Sequence, residues 1–156
     1  MVTRRRSPTR LAVSDFDWTL FRSPEVPLLW QDRSLSPPFV PASPGSEWWI
    51  GPTVAAVRSA IAHPATRTVL MTGRSPDFAG RVEELLAGVG LHFDEYHFAT
   101  CDPLTFKLAV LEDLLRAHPT VERVAMWDDL PEHADAFERR LADLGVAGSV
   151  RLVVDG

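Results

Sequence analysis

The sequence predicts an α/β protein, a parallel sheet of about five strands covered by helices on both faces. Three observations carry this. Short apolar runs alternate with segments whose apolar residues recur at helical spacing, from residue 11 to residue 154. The apolar runs are nearly unbroken, as in strands buried on both faces. Acidic, hydroxyl and basic residues follow those runs, at the carboxyl ends where such sheets bind ligands.

Leu11–Asp15 (LAVSD) reads as a first buried strand ending in a carboxylate. Residues 21–52 have no period, hold more than half of the prolines, and include Trp30, Trp48 and Trp49. A segment this long without regular structure is expected to be functional, so it is predicted to be a surface flap. Val54, Val57 and Ile61 space a helix over 52–63, stopped by Pro64. Thr68–Thr72 (TVLMT) is a second strand, turning at Gly73. A helix over 77–88 has Asp77 near its cap and Gly88 or Gly90 at its end. His92–Phe98 is a third strand. Leu104, Leu108, Leu111 and Leu115 line the next helix, with Lys107 in its first turn. Val121–Trp127 is a fourth strand. Pro131 opens a helix to Leu144 striped by Ala134, Phe137, Leu141 and Leu144, and Ser149–Val154 is the last strand.

The 156 residues, 46% hydrophobic and 24% charged, suit one soluble domain. A net charge of −5 argues against bulk attraction to nucleic acid or acidic membranes, while leaving room for a local basic groove. The single cysteine, Cys101, cannot form an internal disulfide and fits a reducing, cytoplasmic setting; it is expected to be small and buried. No apolar run is long enough to span a bilayer, so no membrane association is expected. Residues 1–9 are basic with no apolar stretch behind them, which predicts a solvated flexible tail rather than a secretory signal.

One residue type stands out. Lys107 is the only lysine beside 15 arginines. An ammonium is a compact point charge that a planar guanidinium does not reproduce, so its retention points to chemistry. Asp15 and Asp17 project from one strand end, and Asp128 and Asp129 follow another. Carboxylates aimed at one spot repel unless a cation or proton intervenes. Oxygen-only ligands favour Mg²⁺ over zinc. A magnesium ion and Lys107 would neutralise a transferring phosphoryl group, and Thr72 with nearby N–H groups would hold its oxygens. One aspartate would act as nucleophile and the other as acid and base. Taken singly, Asp-x-Asp and Thr-Gly-Arg are common turn sequences, and Asp128-Asp129 before Pro131 is a common helix cap.

Asp15-Phe16-Asp17-Trp18-Thr19-Leu20, Thr72-Gly73-Arg74, Lys107 and Asp128-Asp129 together resemble the four motifs of the haloacid dehalogenase (HAD) superfamily. The resemblance implies a three-layer Rossmann-like core of sheet order 3-2-1-4-5, Asp15 as nucleophile and Asp17 as general acid/base. It further implies Mg²⁺ held by Asp15, the Asp17 carbonyl and Asp129, with Asp128 close by. Trp18 stands where the superfamily usually has glycine, and could narrow the entrance or stack on a substrate. Leu20-Phe21-Arg22-Ser23-Pro24, Trp48-Trp49, Thr105-Phe106-Lys107 and Trp127-Asp128-Asp129-Leu130-Pro131-Glu132-His133 look like the HAD domain of Swiss Army Knife RNA repair-like proteins. The last stretch, with Thr72-Gly73-Arg74, is also similar to the 3′-phosphatase domains of polynucleotide kinase/phosphatases, although Leu130 replaces an arginine of that pattern.

These resemblances imply a phosphomonoesterase acting on nucleic-acid 3′ ends, with kinase or ligase modules on other chains as partners. The cap is minimal: residues 21–52 occupy the first insertion site, and 99–104 leave no room at the second. An open site suits a polynucleotide end. Thr19, Gly73, Arg74, Arg22, Trp48 and Trp49 are its expected substrate contacts. Tryptophan is usually buried, so packing of Trp30, Trp48 and Trp49 against the core is the competing expectation to base stacking. Arg74 could instead pair with Asp77 or Glu47. His133 is expected on a helix surface. A phosphatase for small metabolites or phosphoprotein, and a non-catalytic HAD-like binding domain, are the alternative functions.

Overall fold

A computed structural model describes residues 7–155. The five parallel strands are β1 (Arg10–Ser14), β2 (Thr66–Thr72), β3 (Glu95–Phe98), β4 (Arg123–Asp128) and β5 (Ala147–Leu152). They lie in the order β3-β2-β1-β4-β5, as expected. Helices α1 (Gly51–Ala62) and α2 (Ala79–Gly88) pack on one face; α3 (Pro103–Ala117) and α4 (Pro131–Asp143) pack on the other. Each face has its own core. Val57, Val82, Leu85 and Leu86 meet Ala12, Leu70 and Trp127 on one side. Leu111, Leu114, Phe137 and Leu141 meet Leu11, Val13, Val69 and Met126 on the other. The result is a three-layer Rossmann-like arrangement, an α/β fold.

This order places a topological switch at β1. The chain leaves β1 toward β2 and later returns to β4 on the other side. Ser14 pairs with Leu70 and with Trp127, so the residues after β1 emerge between the ends of two neighbours. That crevice is where parallel sheets of this type bind ligands.

Several boundaries differ from the sequence reading. The third strand starts at Glu95 rather than His92, because the Asp94 carboxylate accepts from Thr68 N (2.9 Å) and ties down the approach to the strand. The last strand runs from Ala147 to Leu152, and Val154 is exposed. The α4 stripe turns out to be His133, Ala134, Phe137 and Leu141, since the helix ends before Leu144, which is exposed. Asp77 sits in a short 3-10 turn, Pro76–Phe78, and makes no cap bond. The buried face of α3 is Lys107, Val110, Leu111 and Leu114, a rotation from the expected leucine stripe. Asp102 caps this helix by accepting from Thr105 N at 3.0 Å, so Lys107 lies in its second turn. Cys101 is exposed, not buried. Residues 1–6 of the expected tail lie outside the described residues. The fold already holds residues 8 and 9: Thr9 N donates to Ala65 O (3.0 Å) and Pro8 O accepts from Thr120. Among the described residues no helix is long and apolar enough to cross a membrane.

The flap is a packed structure. Its two ends are pinned by Ile50 N to Leu20 O and Arg22 N to Trp48 O, each 2.8 Å. Phe21 is fully buried, stacks on Phe16 and on Trp48, and meets Trp49 edge-on at 4.9 Å. Leu35 and Val40 seal it to α2, where the Arg81 guanidinium donates to the carbonyls of Leu35, Pro41 and Ala42. Of the flap tryptophans, Trp49 is a core residue beside Phe21, Trp48 is half-buried against them, and Trp30 is 43% exposed. For Trp48 and Trp49 packing is what the structure shows, because with Phe21 these rings close the gap between the flap ends and α1.

Trp49 fills that gap with a defect. Its indole Nε1 is buried with no hydrogen-bond partner. Truncating a buried tryptophan costs about 3–5 kcal/mol, whereas an unsatisfied buried donor costs about 1–3 kcal/mol. Trp49→Ala is therefore expected to lower Tm by roughly 10 °C. Trp49→Phe is expected to stay within a few degrees of wild type. Thermal unfolding of the two variants checks this; equal losses would show that the indole nitrogen is not an uncompensated burden.

Candidate active site

The carboxyl ends of β1, β2 and β4 and one turn of α3 meet at a single point. Asp15 is the first residue after β1, held by its N–H on Trp127 O at 3.0 Å. Its carboxylate is buried. One oxygen accepts from Lys107 Nζ at 3.3 Å, the other from Thr19 Oγ1 at 3.0 Å. Thr19 is wholly buried, so it orients Asp15 rather than touching substrate, contrary to the sequence expectation. The reason is local: the chain turns back after Phe16, whose carbonyl accepts from Leu20 and Phe21, and this folds Thr19 beneath the strand end.

Lys107 is 2% exposed. Its ammonium donates to Asp15, to Asp128 Oδ2 at 2.8 Å, and lies 3.3 Å from His133 Nδ1. Asp128 Oδ1 accepts from Leu130 N, so both oxygens of Asp128 are engaged. Carboxylate oxygens of Asp15, Asp128 and Asp129 lie within 4.8 Å of one another, with Asp129 half-buried at the rim. Burial holds the Asp15 carboxyl well above its ordinary range, with Asp128, Asp17 and Asp129 pushing the same way against Lys107. Burial also lifts Asp129. For Lys107, burial works against the charge, but Asp15 and Asp128 more than offset it, so its pKa is raised. The two partners do not mirror each other because several carboxylates share one ammonium. That imbalance, an oxygen-only donor set in excess of positive charge, fits a hard divalent cation. Asp15, Asp128 and Asp129 are the carboxylates close enough together to hold it.

Asp17 points elsewhere. Arg74 grips its carboxylate through Nε (2.8 and 2.9 Å) and Nη2 (2.7 Å), and Ser23 donates to the same group. The remaining Arg74 nitrogen, Nη1, donates to Ser34 Oγ at 2.9 Å, and the guanidinium lies 4.7 Å above the Phe78 ring. The expected alternatives, Asp77 and Glu47, are not its partners. Thr72 is fully buried, and its hydroxyl accepts from Arg74 N at 3.1 Å, which shapes the Thr-Gly-Arg turn. Gly73 packs on α3: a Cβ there would come within 3.2 Å of Pro103. Arg22 is spent on Asp155 and on the carbonyls of Glu47 and Trp49, bracing the flap base and the C-terminal segment. Arg22, Trp48 and Trp49 thus act in the scaffold and do not form the predicted mouth.

Asp17, Trp18, Ser23, Ser34, Gly73 and Arg74 line an open cleft of about 940 Å³, which begins two residues along the chain from Asp15. Its aromatics are Phe78 and Trp18, the latter 41% exposed with φ of 57°. This left-handed conformation is strained for any residue with a Cβ, by about 1–2 kcal/mol, and free for glycine.

Sequence reasoning missed His133, Ser23 and Ser34. His133 was legible, since residues 133, 137 and 141 repeat at i, i+4 and so share the inward face with Phe137 and Leu141. Ser23 stands out only as part of the Leu20-Phe21-Arg22-Ser23-Pro24 motif, and Ser34 carries no local signal; contacts through an aperiodic flap bring both to the site.

The chain matches the HAD domain family 1 in Swiss Army Knife RNA repair proteins over residues 31–151. The matched span contains Thr72, Arg74, Lys107, Asp128 and Asp129, and the fold brings Asp15 and Asp17 onto the same rim. The chain belongs to this HAD family.

Proposed function

We propose that the chain is a Mg²⁺-dependent phosphomonoesterase that works through an aspartyl-phosphate on Asp15. The observation behind this reading is the Asp15 carboxylate, fixed by Lys107 and Thr19 at the switch point, two residues before the Asp17 that lines an open cleft together with Arg74. The magnesium ion, when bound at Asp15 and Asp129, supplies charge neutralisation for the phosphoryl oxygens.

The chain's own residues supply the rest. An Asp15 oxygen attacks phosphorus, the bond from phosphorus to the leaving oxygen breaks, and Asp17 gives that oxygen its proton. Water then attacks the phosphorus, Asp17 takes a proton back, and the Asp15 carboxylate is restored with release of phosphate. Lys107 holds a fixed positive charge beside the reacting carboxylate throughout. Arg74 is the cation that an incoming phosphate competes for against Asp17. Transferring the guanidinium from Asp17 to phosphate would free the acid/base when substrate arrives.

A phosphorylated nucleic-acid end, the 3′ end above all, is the substrate class we favour. The large open cleft admits a strand end, and Trp18 offers an indole face beside Asp17. Kinase or ligase activities on separate chains would be fitting partners. The deciding experiment is turnover with Mg²⁺ of 3′-phosphorylated DNA and RNA oligonucleotides against a small aryl phosphate. Activity on the aryl phosphate alone would favour the metabolite reading, and no activity on any phosphate would favour the non-catalytic one.

Asp15→Asn is expected to reduce turnover by more than about a thousandfold with the fold kept. Mg²⁺ at about a hundred times its Kd should raise the wild-type Tm by roughly 5–10 °C and lose that effect in Asp129→Asn. A stabilisation that survives Asp129→Asn would remove Asp129 from the metal site.

Lys107→Arg is expected to lower kcat by about a hundredfold or more, because a planar fork cannot face Asp15 and Asp128 from the same buried point. Near wild-type kcat in this variant would show the lysine to be incidental.

Trp18→Gly separates strain from function. Glycine relieves the left-handed backbone, so Tm is expected to hold or rise. Loss of one stacked base costs about 1–3 kcal/mol, so KM for an oligonucleotide is expected to rise about tenfold or more while the aryl phosphate is spared. Equal changes on both substrates would mean that Trp18 contacts no base.

A further inference from the structure

The Lys107 ammonium has three N–H donors, and the structure gives it three acceptors from three different elements: Asp15 after β1, Asp128 at the end of β4, and His133 in the first turn of α4. We propose that His133 is a positioning residue, whose Nδ1 takes the third N–H of Lys107 and so fixes the ammonium between the two carboxylates.

The argument is geometric. His133 is buried and its Nδ1 is 3.3 Å from Nζ, nearer than the 3.6 Å to Asp128 Oδ2, an oxygen that Lys107 already occupies. A nitrogen facing an ammonium is the lone-pair nitrogen, so the ring hydrogen sits on Nε2. The ring is held edge-on by Phe137, at 6.2 Å between centroids and 72°, which leaves it little freedom to turn away. Without this acceptor the ammonium would keep only its two carboxylate partners. One buried N–H would be left unpaired, and the charge would be free to slide toward the rim, where Asp129 lies. With it, the ammonium is a tripod whose position the phosphoryl group does not have to enforce. Pre-placed charge of this kind lowers a barrier without reorganisation during the reaction.

Because Lys107 is the only lysine in the chain, it can be observed alone. Protein labelled with lysine carrying ¹⁵N at Nζ gives one side-chain ammonium correlation, protected from exchange by burial and three hydrogen bonds. His133→Phe keeps the ring and removes the acceptor; His133→Asn puts a carbonyl oxygen where Nδ1 was. His133→Leu is a second acceptor-free variant, and thermal unfolding is recorded for all three. In the Phe and Leu variants the correlation is expected to shift and to exchange faster, and kcat with an aryl phosphate to fall about tenfold or more with KM changed little. In the Asn variant both readouts are expected to return to within about threefold of wild type.

An unchanged Lys107 signal in both acceptor-free variants would overturn the proposal. So would a changed signal with wild-type kcat, or an Asn variant no better than Phe at equal Tm. The kinetic arm rests on the phosphatase reading, but the spectroscopic arm does not. A wild-type protein inactive on every phosphate would sink that reading and leave the placement of Lys107 to be judged by its signal alone.

Discussion

The structure turns on one buried positive charge. Moving an ammonium out of water costs several kcal/mol, and it is recovered only with good geometry and full hydrogen bonding. At Lys107 the conditions are met by Asp15 from near the start of the chain and by Asp128 and His133 from one β4–α4 stretch, brought together by this topology. β1 must lie beside β4 to bring Asp15 near Asp128, and α3 must cross the same face as α4 to bring Lys107 beneath His133. Losing one partner of a buried pair costs about 3–5 kcal/mol, a large share of the total stability of a domain this size. The arrangement that would serve a phosphoryl group is therefore also a constraint on the fold. An arginine would not satisfy it, because its five donors lie in one plane while these acceptors surround a point.

Most of the core was legible because its rules are local. Apolar runs such as TVLMT have one plausible role in an alternating pattern, and the order of elements implied the parallel sheet. The four acidic, basic and hydroxyl elements were legible for the same reason, each following a strand or opening a helix. What failed were judgements about which way a side chain points. His133 and Ala134 are neighbours, and choosing Ala134 to lead the stripe put His133 on the outside; a shift of one residue turns a helix by about 100°. The same rotation misplaced the leucine stripe of α3, where Lys107 competes with Leu104 and Leu108 for the inward face. Thr19 was read as a substrate contact because a hydroxyl near two carboxylates has two plausible jobs, and only the turn after Phe16 decides between them.

The flap marks the limit of sequence reading. Without periodicity there is no rule for what it buries, and composition left base stacking and core packing both open for its tryptophans. Burial followed instead from a topological need. The chain leaves the sheet at Phe16 and rejoins it at α1, and the space between those points must be filled. Phe16, Phe21 and Trp48 fill it as a stack that Trp49 closes edge-on, while Arg81 and Arg22 satisfy carbonyls that no regular structure would pair. Arginine suits that work, having several donors on a long stem. This accounts for two arginines that sequence alone would assign to charge.

A flap fixed in this way is also wired to the site. Ser23 bonds Asp17, and Ser34 bonds the Arg74 that holds Asp17. The two serines lie on either side of the exposed apolar turn Leu28–Arg33. The group proposed as acid/base is thus held from the flap on one side and from the Thr-Gly-Arg turn on the other. Neither hold is covalent or deeply buried: Asp17 and Arg74 are half-buried, with side chains 28% and 15% exposed. An anion entering the cleft meets the guanidinium at the same place as Asp17 does, and competes as one charge-assisted partner against another. In the proposed mechanism, binding phosphate and releasing Asp17 are a single exchange. The strain at Trp18, which follows Asp15 and Asp17 and precedes the buried Thr19, then has a physical location: it keeps an aromatic face beside that proposed exchange where glycine would leave open space.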